Sequence, residues 1–271
     1  MRRASKRMVG MVVTAGVLLG VAIGTVGLAA ASGSRVASPR AAHDTSSSAP
    51  CTSASYTLTV DVTPPTGTAL SISVTGQVDF VSEAVTASVT LPSSFPIAAL
   101  AGTTLKAELV AGTVYVAVPA SLSGFVGGAP WVSIAVPSTA ATGLGTVFTD
   151  LASWCGNAQS IVSALDSHGG STASLGSSSI DDVPATGTQV EQVGKRIPRM
   201  LKLPRSLTRG IFEGGKAPID VWADPQGQLV RLTIGGTVTL TVTNIDQPVS
   251  ITAPTGAVPL PQSFLKMFGS L

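Results

Sequence analysis

Apolar and polar residues alternate along most of this chain, the period-two pattern of strands with one buried and one wet face. The clearest run is IDVWADPQGQLVRLTIGGTVTLTVTNIDQPVSITAP, from Ile219 to Pro254. Val230, Leu232 and Ile234 share a face there, with Arg231 and Thr233 opposite. Val238, Leu240 and Val242 repeat the pattern, with Thr239, Thr241 and Thr243 opposite. Asp224-Pro225-Gln226-Gly227 supplies turn chemistry between the first two strands, and Gly235-Gly236 makes the next reversal. The segment reads as an antiparallel meander in which Trp222 and Arg231 face each other across a hairpin as a cation–π pair.

Upstream, Tyr56, Leu58, Val60 and Val62 line one face of a strand that Thr63-Pro64-Pro65-Thr66-Gly67 ends. Leu70, Ile72, Val74, Val78 and Phe80 follow, with Gly76 at an expected bulge or bend. Four more strands are expected around Val85–Leu91, Leu105–Leu109, Val114–Val118 and Trp131–Val136. The period then changes. Val147, Leu151, Trp154 and Ala158, then Ile161, Val162 and Leu165, follow helical spacing and predict two short helices broken near Gly156. Strands around Ser174–Ile180 and Thr188–Val193 flank an expected break at Pro184-Ala185-Thr186-Gly187, and Pro261–Leu271 predicts a last helical turn. The fold class is α+β, with about eleven antiparallel strands and no alternating βαβ units.

The front of the chain decides the compartment. Arg2, Arg3, Lys6 and Arg7 precede an uncharged apolar run from Met8 to Ala31, where Ala29-Ala30-Ala31 offers a small-residue cleavage site. The run exceeds the ~7–15 residues of a signal core and reaches the ~20 that span a bilayer. Residues 1–31 therefore read as a removed signal peptide or a retained membrane anchor, and both put the remainder outside the cytoplasm. Residues 32–54, small, polar and Pro-containing, read as a tether, and 55–271 as one domain.

Export also changes the charge. Of 16 basic and 14 acidic residues, four basic ones lie in the leader, so 12 face 14 from Ser32 onward, a net of −2. No nucleic-acid partner is expected. In an oxidising compartment Cys51 and Cys155 are most simply a disulfide. A lipidated Cys51 ranks lower, because Ser48-Ala49-Pro50 is a poor lipobox, and two unpaired thiols are the remaining alternative. The two cysteines with His43 and His168 show no ligand spacing, so neither a metal nor another cofactor is expected. No G-x-S-x-G elbow occurs, and an enzyme is not expected.

VWADPQGQLVRL, followed by a Thr/Val strand and IDQPVSITAP, resembles the actinobacterial LppX/LprG-type envelope lipoproteins. Trp222, Asp224, Gly227, Val230 and Arg231 carry the first part of the likeness; Asp246, Pro248, Val249, Ala253 and Pro254 carry the second. Gly76-Gln77-Val78-Asp79-Phe80, Val114-Tyr115-Val116 and Trp131-Val132 fall upstream in the family's order. The resemblance implies a LolA-like half-barrel: a curled antiparallel sheet with short helices against its concave face. It also implies a hydrophobic cavity that carries lipids or lipoglycans. Two departures are visible: the lipobox cysteine is missing, and a Ser/Ala tether replaces the helix that usually precedes the first strand.

Strand faces of Val, Ala, Leu and Ile, with aromatics at only 4%, leave little bulk to fill a half-barrel. The expected cavity is walled by Leu58, Val60, Ile72, Val74, Phe80, Val89, Val114, Val116, Val238, Leu240 and Val242. Lys195, Arg196, Arg199, Lys202, Arg205, Arg209 and Lys216, against Glu213 alone, form a basic segment with interleaved apolar residues. Its basic residues would meet anionic headgroups, at about 1 kcal/mol each near a charged surface, or stay solvated. Pro198 and Pro204 argue against a single continuous helix there. Asp181-Asp182 reads as a solvated loop. The function expected is a monomeric cell-envelope protein that binds lipid or lipoglycan acyl chains at a membrane surface. The alternative is a non-catalytic interaction or regulatory module with the same sheet closed.

Overall fold

The computed structural model describes residues 49–62, 70–93, 101–136, 138–167, 170–193 and 216–260. The alternating segments become β1 (Ser53–Val62), β2 (Leu70–Asp79), β3 (Ala84–Thr90), β4 (Thr104–Val110), β5 (Thr113–Ala117) and β6 (Trp131–Ala135). Helices α1 (Ser138–Gly156) and α2 (Ala158–Asp166) follow. Then come β7 (Ser171–Ile180), β8 (Val183–Val193), β9 (Lys216–Ala223), β10 (Leu229–Ile234), β11 (Val238–Thr243) and β12 (Ala257–Pro259). They form one open sheet in the order β12-β6-β5-β4-β3-β2-β1-β11-β10-β9-β8-β7. Every neighbour pair is antiparallel except β12, which runs parallel to β6. The strand count is one above expectation because β12, three residues ending in proline, has no alternation to read.

Two meanders, β1–β6 and β7–β11, join where β1 pairs with β11, from Ser55 opposite Thr243 to Val60 opposite Val238. Hairpins reverse at paired left-handed residues: Ala111-Gly112 (φ 47° and 70°), Asp181-Asp182 (48° and 67°) and Gly235-Gly236 (59° and 68°). Two such residues in succession match the twist of the flanking strands. The expected break at Pro184-Ala185-Thr186-Gly187 is instead part of β8, and the turn sits at Asp181-Asp182. Proline is tolerated because β9 pairs with β8 only from Thr186 onward, so the missing Pro184 N–H leaves no gap in that ladder.

Gly76 is no bulge either; it stays in register between Tyr56 and Ala87. The register shifts lie between Ser174 and Gly176 and between Leu229 and Arg231. The second shift corrects the expected facing of β10. Leu229 and Leu232 join the helix-covered core, whereas Val230 packs with Ile180, Ala185 and Trp222.

A flat sheet from β4 to β8 would be about 34 Å wide at ~4.8 Å per strand. Two helices side by side cover only ~20 Å. Yet Leu109 of β4, Val190 of β8 and Phe148, Ile161 and Val162 of the helices belong to one buried cluster. The sheet is therefore curled, with the helices in its concavity. Ala158, Ile161, Val162 and Leu165 bury one face of α2 at the expected helical spacing. The break at Gly156 is as predicted, but α1 starts at Ser138, nine residues before Val147. Asn157, at φ −145°, separates the helices, and the Ala158 N–H donates to the Gly227 carbonyl (2.9 Å) in the β9–β10 turn. That contact satisfies one of the donors a helix start leaves open.

The disulfide forms as expected, joining Cys51 to Cys155 with Cα atoms 5.8 Å apart. Beside it the Cys51 N–H donates to the Ala152 carbonyl (3.0 Å), so the chain entering β1 is fixed to the end of α1. Pro261–Leu271 lies outside the described residues.

Candidate functional site

The concave face carries an unbroken apolar surface, because inward positions of neighbouring strands fall opposite one another. Val60 pairs with Ile72 and Val238, Leu58 with Val74 and Leu240, and Val74 with Val89. This surface has two halves. At the end where β1 begins, both helices cover Ala54, Val78, Val85, Leu109, Val221 and Val242. Toward the other end lies a second cluster: Leu58, Val60, Ile72, Val74, Ala87, Val89 and Leu91, each no more than 5% exposed. Ala101, Leu105, Val238 and Leu240 pack against it, and no described helical residue belongs to it.

The expected wall residues therefore divide. Leu58, Val60, Ile72, Val74 and Val89 come together in the second cluster, flanked by Val238 and Leu240. Phe80, Val114 and Val242 belong with the helix-covered half. Val116 is half-buried, opposite Ala107 and Val132 in register, and lies in neither cluster. The basic residues Lys195, Arg196, Arg199, Lys202, Arg205 and Arg209 lie outside the described residues. Their segment is bounded by Val193 and Lys216, a register pair at the same end of the sheet as the second cluster.

Tyr56 stands between the halves and packs against both clusters. Its hydroxyl donates to the Thr86 carbonyl (2.8 Å), while the Gln77 N–H opposite donates to the Thr86 Oγ1 (3.1 Å). Burial pushes the Tyr56 hydroxyl well above its ordinary value. The ring lies on Gly76: a Cβ there would come within 2.6 Å of the hydroxyl and would also meet the Thr86 carbonyl. The glycine is needed for close approach, not for a bend. Tyr56 is absent from the expected wall, and the signal for it is a large ring directly across from a glycine in adjacent strands.

Charges keep to the rims and the outer face. The Asp79 carboxyl, raised by partial burial, is lowered more by the Ser82 side chain and the backbone N–H groups of Ser82 and Val81; it ends below its usual range. Burial raises Glu108, with Lys106 opposing, and burial raises Asp150. Arg231 sits opposite Trp222 as expected, and its guanidinium reaches Asp181 Oδ2 (3.4 Å). Trp222 packs on Ile180, Ala185 and Val230 and over Gly187, where a Cβ would lie 2.8 Å from the ring. Among the described residues no group of His, Cys, Asp and Glu could hold a metal, and no helix is long and apolar enough to cross a membrane. His43, His168 and Met8–Ala31 lie outside them.

No family model matches the chain, and no curated protein matches it. Among solved structures it is similar to the lipoprotein LppX of Mycobacterium tuberculosis. The identity is 16%, over 74% of this chain and 90% of that one, at a TM-score of 0.44. It is also similar to LprF from Mycobacterium bovis, with 18% identity, 76% and 90% coverage and a TM-score of 0.45. A LolA superfamily protein from Nitrosomonas europaea aligns at 11% identity, 76% and 90% coverage and a TM-score of 0.28. Identities this low say nothing of what the chain binds.

Proposed function

We propose that this protein is an exported, cell-envelope carrier that takes lipid or lipoglycan acyl chains into the concavity of its sheet. One observation supports the reading above the others. The second apolar cluster is built entirely from strand and loop residues, with no described helix laid across it. An acyl chain on that surface would gain about 0.8 kcal/mol per buried CH₂. The basic segment, held at its ends by Val193 and Lys216, would meet an anionic headgroup at that rim. The carrier role, the headgroup residues and the membrane surface are parts of this proposal.

A second reading has its own support. The seven cluster residues are already buried, as in a closed core, which suits an interaction or regulatory module. Organic extraction of the purified exported protein, followed by mass spectrometry, separates the two. Co-purifying lipid, with uptake of a fluorescent fatty acid that Val74→Trp abolishes in a folded protein, supports the carrier. Clean extracts and no uptake support the closed module.

A further inference from the structure

The two edges of the sheet are unlike. The β12 edge is three residues long and ends in Pro259. The β7 edge runs ten residues, STASLGSSSI, and every one but Ile180 is exposed. One long side of β7 is paired to β8; along the other no described strand is paired, and the residues there are exposed. Proteins blunt such edges with charges, proline, bulges or very short strands; of these β7 has only the bulge between Ser174 and Gly176.

We propose that β7 is a self-association edge, through which two copies of this chain pair antiparallel and join their sheets. The bulge between Ser174 and Gly176 lies at the middle of the strand, so a two-fold axis near Leu175 and Gly176 sets the two irregularities side by side. Ser174 then faces Ser177 of the second copy, and Thr172 faces Ser179. These are hydroxyl pairs of the kind that stabilise cross-strand contacts, with no like charges opposed. An identical strand therefore fits this edge without opposing like charges. Among the described residues the β12 edge is only three residues long and cannot pair along a ten-residue strand, which leaves β7 as the competent edge described. The pair closes as a two-fold dimer and does not extend into a fibre. This replaces the monomer expected from sequence, and it is independent of whether the concavity holds lipid.

Cysteine crosslinking in the full chain, with its leader, tests the contact, because Cys51 and Cys155 are already joined. Cells co-expressing Ser174→Cys and Ser177→Cys chains should give, under mild oxidation, a product of twice the chain mass. Val81→Cys, at an exposed turn, should give none. Adding Thr172→Lys and Ser179→Lys to both chains opposes like charges across the contact and should abolish the β7 product. The proposal is overturned if β7 cysteines stay uncrosslinked, if Val81→Cys crosslinks equally, if the lysines change nothing, or if the product contains a different protein.

Discussion

Replacing Cys51 and Cys155 together by alanine cuts the covalent tie between the entry to β1 and the end of α1. The bond spans a sequence separation of 104 residues. Chain-entropy reasoning gives about 4.7 kcal/mol for closing a loop of that size in the unfolded ensemble. The folded side should change little, since other contacts hold the same segment. The Cys51 N–H keeps its bond to Ala152, and Asp246 Oδ1 accepts from the Thr52 N–H (2.7 Å) and hydroxyl (3.0 Å). Against a typical total of about 5–15 kcal/mol, the loss is large enough to move a urea midpoint far. Non-reducing urea titrations of both proteins measure it, and the slope should rise as the unfolded chain expands. A loss below about 1 kcal/mol, with unchanged slope, would refute the loop-closure account.

Tyr56→Phe leaves the Thr86 carbonyl without its hydroxyl donor and should cost about 1–3 kcal/mol by thermal or chemical denaturation. Gly187→Ala forces a methyl against Trp222 and the Leu175 Cβ (2.9 Å), so about 1–3 kcal/mol of overpacking and an altered tryptophan emission are expected. Glu108 binds its proton more tightly folded than unfolded, because burial outweighs the pull of Lys106. Its contribution is complete below pH 4.5, the ordinary value, and is lost as pH rises through the raised folded value. Glu108→Gln should therefore flatten the fall of stability on that alkaline side, read from denaturation midpoints across pH.

Much of the sheet is legible because its strands have one wet face, and a period of two survives wherever that is so. Gly235-Gly236 and Ala111-Gly112 mark their hairpins because few other pairs adopt two left-handed conformations at low cost. Alternation misplaces Val230 because one extra residue in β10 reverses its facing, and nothing local announces that shift. Pro184 reads as a break because proline's cost depends on whether a neighbour needs its N–H, a tertiary fact. The first half of α1, STAATGLG, contains residues of poor helix propensity and no apolar spacing, so its helicity is not local in origin. In the site, alternation places the inward residues of β1, β2, β3 and β11. It does not say which of them α1 and α2 cover, because that depends on where the curl brings the helices.

The seam between β1 and β11 sets an order of events during synthesis. Ser55 emerges 188 positions before its partner Thr243, whereas β1 to β6 need only their nearest successors. The first meander can therefore assemble early, but β1 stays an open border until nearly the whole polypeptide has been made. Through that interval a nascent chain has an unprotected strand available to wrong neighbours, and its final closure is a long-range, slow step.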